Sequence, residues 1–335
     1  MTIVRCVRSA LRRSLSVLRR LRAPDPEGFE QLWPLAPGAL KRLAGDVLAG
    51  RCSPAEADRV RLFAANGYTV FPAAVEPALV DALVADVRSI ADHPGCFVTT
   101  DHKRGRAQRM SGPDFDSYES IFDTYVNFES ARRVSFHPVI TGFLSRIFDT
   151  RPVAIQQLLF QRSNQHPLHQ DTSVVCTEAP LLMAATWIAL EDVVPGRGEL
   201  TYYEGSHRIP HHLFADGTKR LDPRVDDAAA ARAYLVEQCS RQGCAKRDFI
   251  AKKGDVFVWA ADLVHGSNPR TRPDHETRMS VVTHYCPRTT KPYWQRFHPR
   301  HTAQVEYEQD LTYMSSYYVL PTGGGVVRPS VVVGD

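Results

Sequence analysis

Short apolar runs dominate the second half of the chain. Seven of them follow residue 154 and are separated by segments that contain proline, glycine or charged residues: IQQLLFQ, TSVVCT, AATWIALEDVV, ELTYYEG, DFIAK, DVFVWAA and RMSVVTHYC. Runs of this length, rich in β-branched and aromatic residues and bounded by turn signals, are typical of β-strands. We therefore predict an antiparallel double-sheet barrel or sandwich, the cupin-like jelly roll also called a double-stranded β-helix.

The first half of the chain shows helical patterns instead. The segment CSPAEADRVRLFAANG has Ser53 as N-cap, a proline in its first turn, Glu56 completing a capping box and Gly67 at its end. A strand (YTVFPAAV), an amphipathic helix (PALVDALVADVRSIADH) and a second helical stretch over residues 118–148 are predicted to follow. Because helices precede the strands and do not alternate with them, the pattern favours a mainly β fold with flanking helices (α+β) over a doubly wound parallel sheet.

The first 24 residues are basic and amphipathic, with seven Arg and no acidic residue. Apolar residues recur there at helical spacing, which predicts a helix. Three interpretations remain open: a helix on an anionic membrane surface, a targeting peptide, or a segment with neither role, which is either a helix docked on the main domain or an irregular start of the chain.

Composition limits the class of protein. The chain has 335 residues, 43% hydrophobic and 23% charged, and a net charge of +4 that is concentrated at one end. This distribution argues against a nucleic-acid-binding core, which would carry a basic face. The seven Cys are odd in number and scattered, as expected for reduced thiols, and no apolar run is long enough to span a membrane. We expect a cytoplasmic protein that could touch the cytoplasmic face of a membrane through residues 1–24.

The stretch HPLHQDTSVV places two imidazoles and a carboxylate within six residues. If it forms a strand, His169 and Asp171 point to the same side, because side chains alternate with a period of two. A metal site and a polar strand entrance both explain this pattern. His265, at the far end of a predicted strand, lies 96 residues further on and could meet the pair in a jelly roll. Two imidazoles and one carboxylate form the facial triad of non-haem Fe(II) oxygenases, which leaves open positions for O2 and a bidentate cosubstrate.

A cosubstrate carboxylate would need an anchor at its remote end. Arg278 follows His265 by thirteen residues, and a guanidinium matches a carboxylate bidentately. Ser267 could donate a hydrogen bond to the same group. Taken alone, Arg278 fits a surface charge at a strand end better than a cosubstrate anchor. Gln157 and Gln161 share one face of the predicted strand and either line this pocket or lie on a solvated sheet face.

Together these segments resemble the phytanoyl-CoA dioxygenase family of Fe(II)/2-oxoglutarate-dependent oxygenases. The resemblance rests on HQD, WIALEDVVPGRGELTYYEGSHR, GDVFVWAADLVHGSN and RMSVVTHY, and also on FAANGYTVFPAAVEPALVDAL. It extends roughly over residues 63–287. It implies that His169, Asp171 and His265 bind iron, and that Arg278 with Ser267 holds the C5 carboxylate of 2-oxoglutarate.

The resemblance also implies a reaction: Fe(II), O2 and 2-oxoglutarate hydroxylate an unactivated C–H bond with release of succinate and CO2. The substrate would be a small molecule, a lipid-linked compound or a glycan. Two other classes stay open, namely a cupin-like metal-dependent hydrolase or isomerase and a non-catalytic binding module that keeps the fold.

The chain divides into four expected parts: a basic helix (1–24), a helical extension (25–57), the oxygenase domain (58–290) and a C-terminal extension (291–335). Within the domain, a long segment over 205–250 is expected to cover the pocket mouth. Three of its basic side chains either recognise an anionic substrate or lie in solvent: Arg208, Lys219 and Arg220. His284 is expected to point away from the metal.

Overall fold

The computed structural model describes residues 28–101, 107–112, 118–273, 276–296, 304–320 and 330–331. The predicted basic helix of residues 1–24 therefore lies outside the described residues.

The described residues form six α-helices. The predicted capping box is present at the start of α2, where Ser53 Oγ accepts from the Glu56 N–H at 3.3 Å and the Glu56 carboxylate accepts from the Ser53 N–H at 2.9 Å. Gly67 ends this helix with φ +80°, a conformation that favours glycine. The helices are α1 Ala39–Leu48, α2 Pro54–Asn66, α3 Pro77–Ser89, α4 Glu129–Ser135, α5 Pro138–Phe148 and α6 Ala228–Arg241.

The prediction of one helical stretch over residues 118–148 is wrong at its start. Tyr118–Phe122 is a strand that pairs with two neighbouring strands of the main sheet. The helical part begins only at Glu129 and is split before Pro138, since the residue that precedes a proline disfavours the helical conformation.

The strands form two principal sheets and a short pair. The strands are β1 Tyr68–Phe71, β2 Val98–Asp101, β3 Ala107–Arg109, β4 Tyr118–Phe122, β5 Pro152–Phe160, β6 Ala184–Ala189, β7 Leu200–Tyr203, β8 Lys246–Phe249, β9 Val256–Ala260, β10 His265–Ser267, β11 Ser280–Pro287, β12 Val305–Tyr307, β13 Leu311–Tyr313, β14 Tyr318–Val319 and β15 Ser330–Val331. The large sheet has the order β1-β9-β6-β11-β5-β4-β2-β3, with β13 also pairing with β5 and β12 with β13, and the small sheet has the order β10-β7-β8.

Six of the seven predicted strand segments overlap a strand, although β5 begins three residues before IQQLLFQ and β8 two residues before DFIAK. The segment TSVVCT does not: Asp171–Ser173 is a 3-10 turn, and no strand follows until β6. The β-branched residues of this segment satisfy strand propensity, but contacts with other parts of the chain fix the turn, as described below.

Two apolar cores position the functional region. The larger one joins the helices to one face of the large sheet. The other lies between the two sheets, where Leu200 and Tyr202 of β7 pack with Trp187 of β6 and Trp259 of β9. The architecture is the predicted mainly antiparallel β fold with flanking helices, and its two facing sheets enclose the candidate site.

The chain after residue 290 packs onto the domain where it is described. β13 adds to the large sheet parallel to β5, and the Tyr125 hydroxyl donates to the Met314 carbonyl at 2.5 Å. Ser315 Oγ donates to the buried carboxylate of Asp123. No helix within the described part of the chain is long and apolar enough to cross a membrane.

Candidate metal centre

The structure brings His169, Asp171 and His265 together. His169 and His265 form an isolated antiparallel bridge, in which each backbone N–H donates to the other residue's carbonyl at 2.9 and 3.0 Å. Each histidine Nε2 lies 3.5 Å from Asp171 Oδ1. The three candidate ligand atoms lie within 4.8 Å of one another, and no other such group occurs among the described residues. A bridge and a 3-10 turn create this arrangement, in place of the predicted alternation along one strand.

Hydrogen bonds fix the orientation of both imidazoles. His169 Nδ1 lies 2.8 Å from the Pro167 carbonyl, and His265 Nδ1 lies 2.9 Å from the Leu263 carbonyl. A carbonyl can only accept, so each Nδ1 carries the proton and each Nε2 is left with a free lone pair. Burial lowers the pKa of His265 to about 4, which keeps this imidazole neutral at pH 7.

Asp171 is held as a buried carboxylate. Trp259 Nε1 donates to its Oδ2 at 2.8 Å, so Oδ1 remains directed at the histidines. Burial alone would raise the pKa of Asp171, but His265 and His284 hold it well below its usual value. A carboxylate and two imidazoles that present their Nε2 atoms form a donor set that suits Fe(II).

His284 faces this centre, contrary to the expectation. Its Nε2 lies 3.6 Å from Asp171 Oδ1, and its Nδ1 is buried without a hydrogen-bond partner among the described residues. Val282 and His284 both line the cavity, as does Arg278 just before β11. The three residue numbers have the same parity, so strand alternation places His284 on the inner face.

A cavity of about 440 Å³ lies beside the candidate ligands, between the two sheets. Arg278 and Ser267 both line it. Arg278 is 3% exposed, its Nε has no hydrogen-bond partner, and its guanidinium lies 5.5 Å from the Trp187 ring centroid. Burial lowers the pKa of Arg278 to about 10, which still leaves it charged at neutral pH. No carboxylate among the described residues forms an ion pair with Arg278, although the charges of Glu191 and Glu199 raise its pKa, so an anion bound in the cavity would stabilise this buried cation.

Gln157 lies outside this cavity. Its Oε1 accepts from Thr124 Oγ1 and the Tyr125 N–H, and its Nε2 donates to Ser135 Oγ at 2.7 Å. The next residue back, Gln156, lines the cavity instead. The expected placement of Gln157 is therefore wrong, because the even-numbered residues of β5 face inward. Gln161 is likewise absent from the lining.

Residues 204–245, here called the β7–β8 insertion, do not cover the cavity as expected. None of them is among its lining residues. They pack instead on the outer side of residues 166–174, here called the metal loop, and enclose a second cavity of about 240 Å³ there. His166, His169 and Val174 line both cavities, so the metal loop is the wall between them.

The three basic residues that were considered for substrate recognition contact protein groups instead. Arg208 donates to the Ala65 carbonyl at 2.6 Å, and Arg220 lies over the Tyr293 ring. Lys219 is buried and lies 2.9 Å from Asp262 Oδ2. These contacts give no support to the idea that the three residues recognise an anionic substrate.

Sequence reasoning also missed Trp259 and Tyr317. Trp259 lies six residues before His265 on an inward position of β9, a spacing that could have identified it. Tyr317 packs on Phe122 with 4.3 Å between ring centroids and lines the cavity from the C-terminal region. No local signal marks Tyr317, because its position depends on the pairing of β13 with β5.

Comparison with known proteins gives one matching family, one curated relative and solved structures of similar fold. The model of the family described as phytanoyl-CoA dioxygenase (PhyH) matches residues 63–279. A Dictyostelium discoideum protein described as a phytanoyl-CoA dioxygenase domain-containing protein 1 homolog is 29% identical over 124 residues. That match covers 35% of this chain and 39% of the relative, so it spans well under half of the relative's length.

Two solved structures share the fold. The epimerase SnoN, in complex with Fe3+, α-ketoglutarate and nogalamycin RO, has a TM-score of 0.50 and 19% identity, covering 76% of this chain and 86% of its own. EctD from S. alaskensis with bound Fe has a TM-score of 0.51 and 17% identity, covering 68% and 74%. The family model spans most of the sheets and all of the candidate ligands, and the chain belongs to the phytanoyl-CoA dioxygenase family.

Proposed function

We propose that this protein is a non-haem Fe(II)/2-oxoglutarate-dependent dioxygenase that hydroxylates a C–H bond of a small-molecule, lipid or glycan substrate. In this proposal His169, Asp171 and His265 hold the iron. Arg278, assisted by Ser267, binds the C5 carboxylate of 2-oxoglutarate. Family membership and the grouping of the three donor atoms support the assignment.

The observation that carries the proposal is the unpaired Arg278 in the cavity of the candidate ligands. A buried guanidinium without a direct ion-pair partner is costly, and a dianionic cosubstrate would lower that cost while occupying the metal's open positions. A hydrolase or isomerase that needs only the metal gives this side chain no role. The unpaired Arg278 therefore favours the oxygenase over that alternative.

When bound together, iron, 2-oxoglutarate and O2 supply the oxidation: one oxygen atom enters the substrate C–H bond, the other enters succinate, and CO2 leaves. The protein's residues orient the reactants. Trp259 fixes the Asp171 carboxylate, and the backbone bridge fixes the distance between the histidines. Phe160, Trp187 and Val282 give the cavity an apolar lining that limits water near the centre.

The cavity volume supports a small substrate or one end of a larger one. About 440 Å³ lies within the usual range for small-molecule pockets, and 2-oxoglutarate would fill part of it. The remaining space adjoins Gln156, His284 and Tyr317, which we assign to the substrate side because Arg278 and Ser267 serve the cosubstrate.

Anaerobic titration of the full-length protein with Fe(II) and 2-oxoglutarate tests the proposal. We expect a weak visible charge-transfer band, followed by succinate formation when O2 and candidate substrates are supplied. Products that gain one oxygen atom in mass spectrometry would identify hydroxylation. Iron binding without the band or succinate would favour the metal-only hydrolase or isomerase, and the absence of iron binding would favour a binding module.

A further inference from the structure

A buried charge cluster lies just outside the metal cavity, centred on Asp262. Lys219 Nζ lies 2.9 Å and His211 Nδ1 3.2 Å from Asp262 Oδ2, and the lysine and imidazole nitrogens are 2.9 Å apart. Lys219 is 3% and Asp262 5% exposed. Burial alone would raise the pKa of Asp262, but Lys219 and His211 hold it below its usual value.

The carboxylate is connected to the metal loop on both sides of Asp171. Thr172 Oγ1 donates to Asp262 Oδ1 at 2.7 Å, and Gln170 Nε2 donates to the Asp262 carbonyl at 2.7 Å. Asp262 also lies three residues before His265, in the turn that leads into β10. One buried residue thus contacts both chain segments that carry the candidate ligands.

The cations come from a different part of the chain. Lys219 and His211 belong to the β7–β8 insertion, and the Leu221 N–H donates to the Ser173 carbonyl at 3.0 Å. The insertion therefore supports the metal loop from its outer side. Lys219 supplies the positive charge that allows Asp262 to stay ionised there and to accept from Thr172.

We propose that Lys219 and Asp262 are positioning residues for the metal centre, through which the β7–β8 insertion holds the metal loop in its ligand geometry. This inference rests on the proposed function in taking His169, Asp171 and His265 as the ligands. Removing Lys219 alone leaves Asp262 buried beside a single imidazole. The loop then shifts to hydrate the carboxylate, which displaces Asp171 and His265 from their common centre.

The test uses Mn(II) alone as the probe, measured by isothermal titration calorimetry on the full chain. Lys219→Met should bind Mn(II) at least about tenfold more weakly than the unsubstituted protein. Lys219→Met/Asp262→Asn should recover to within about threefold, because both charges are removed and the oxygen of the introduced amide can still accept from Thr172. Equal weakening in the single and double variants would overturn the charge argument, as would unchanged affinity in Lys219→Met.

Arg51→Met is the matched control, since it removes the cation from Asp46, a carboxylate far from the site whose side chain is 10% exposed. It should leave Mn(II) affinity unchanged. If Lys219→Met does not fold, Thr172→Val replaces it, because this change removes only the hydroxyl that donates to Asp262; undiminished Mn(II) affinity in Thr172→Val would then refute the proposal. Absence of Mn(II) binding in the unsubstituted protein would instead contradict the proposed function.

Hydrogen exchange provides a second measurement. Its metal dependence would not change in Lys219→Met if Lys219 and Asp262 only stabilised the fold. Binding linkage is reciprocal, so Mn(II) should slow amide exchange in residues 204–245 of the unsubstituted protein. In Lys219→Met that protection should be lost. Metal-dependent protection of equal size in both proteins would show that the insertion and the metal loop are not coupled through this pair.

Discussion

Trp259→Phe tests how the carboxylate ligand is held. The change keeps an aromatic ring in the core but removes the indole N–H that donates to Asp171 Oδ2 at 2.8 Å. A hydrogen bond to a charged group contributes about 1.5–3 kcal/mol, and Oδ2 would be left buried without this donor. We therefore expect a loss of about 2 kcal/mol in the free energy of unfolding.

Metal affinity should fall as well, because Asp171 can then rotate Oδ1 away from the histidines. Loss of a group that orients a metal ligand typically weakens binding by about 10–100-fold. Mn(II) calorimetry and the anaerobic Fe(II)/2-oxoglutarate band measure this effect, and thermal unfolding measures stability separately.

Trp33→Phe is a matched control, since Trp33 Nε1 donates at 2.7 Å to the Arg146 carbonyl, far from the site. This variant should lose stability but keep its metal affinity. If Trp259→Phe also keeps full affinity while losing stability, the hydrogen bond supports the fold and does not orient the ligand, and our reasoning about Asp171 is refuted.

Four further predictions concern single side chains. Asp171→Ala should abolish stoichiometric iron binding, measured by metal analysis, because two neutral imidazoles hold Fe(II) poorly; retained iron would exclude Asp171 as a ligand. Arg278→Ala should raise the 2-oxoglutarate concentration for half-saturation of the visible band by about tenfold or more with little change in iron affinity, and an unchanged value would reassign the residue. Gln157→Leu should lower the melting temperature, because its buried partners lose their bonds, yet leave 2-oxoglutarate affinity unchanged in the same titration. Burial lowers the pKa of His207 to about 3, so the unfolded chain binds more protons and the stability of the fold should rise between about pH 3 and 6.5; His207→Gln should flatten this rise in denaturant titrations, and an unaltered slope would contradict the assignment.

Local signals were sufficient for much of the fold. The capping box of α2 and the apolar runs of β5, β6, β9 and β11 predicted these elements because the local patterns agree with the final packing. The 3-10 turn at Asp171 could not be predicted in this way. Its β-branched neighbours favour a strand, whereas bonds from Trp259 and to Asp262 determine the turn. Strand β4 was missed because its pairing with β5 is a tertiary contact.

The sequence likewise predicted some residues of the candidate site and missed others. Residue type and spacing made the triad and Arg278 candidates, and the resemblance to the family selected them over the alternatives. His284 could have been placed by counting six residues from Arg278 along one strand. Choosing Gln156 over Gln157 required the register, in which Gln156 pairs with the inward His284. The contact between Lys219 and Asp262 had no sequence signal, because a long insertion can fold back in many ways.

The backbone bridge between His169 and His265 has a consequence for metal exchange. Main-chain bonds that do not involve an ion already set the spacing of the two imidazoles. A zinc finger unfolds when its metal ion is removed. This protein should instead remain folded after a chelator removes the ion, and it should bind metal again without refolding. Metal binding would then be limited by the supply of the ion and its access to the cavity. The metal-free protein would accumulate in a folded form that is ready to bind metal.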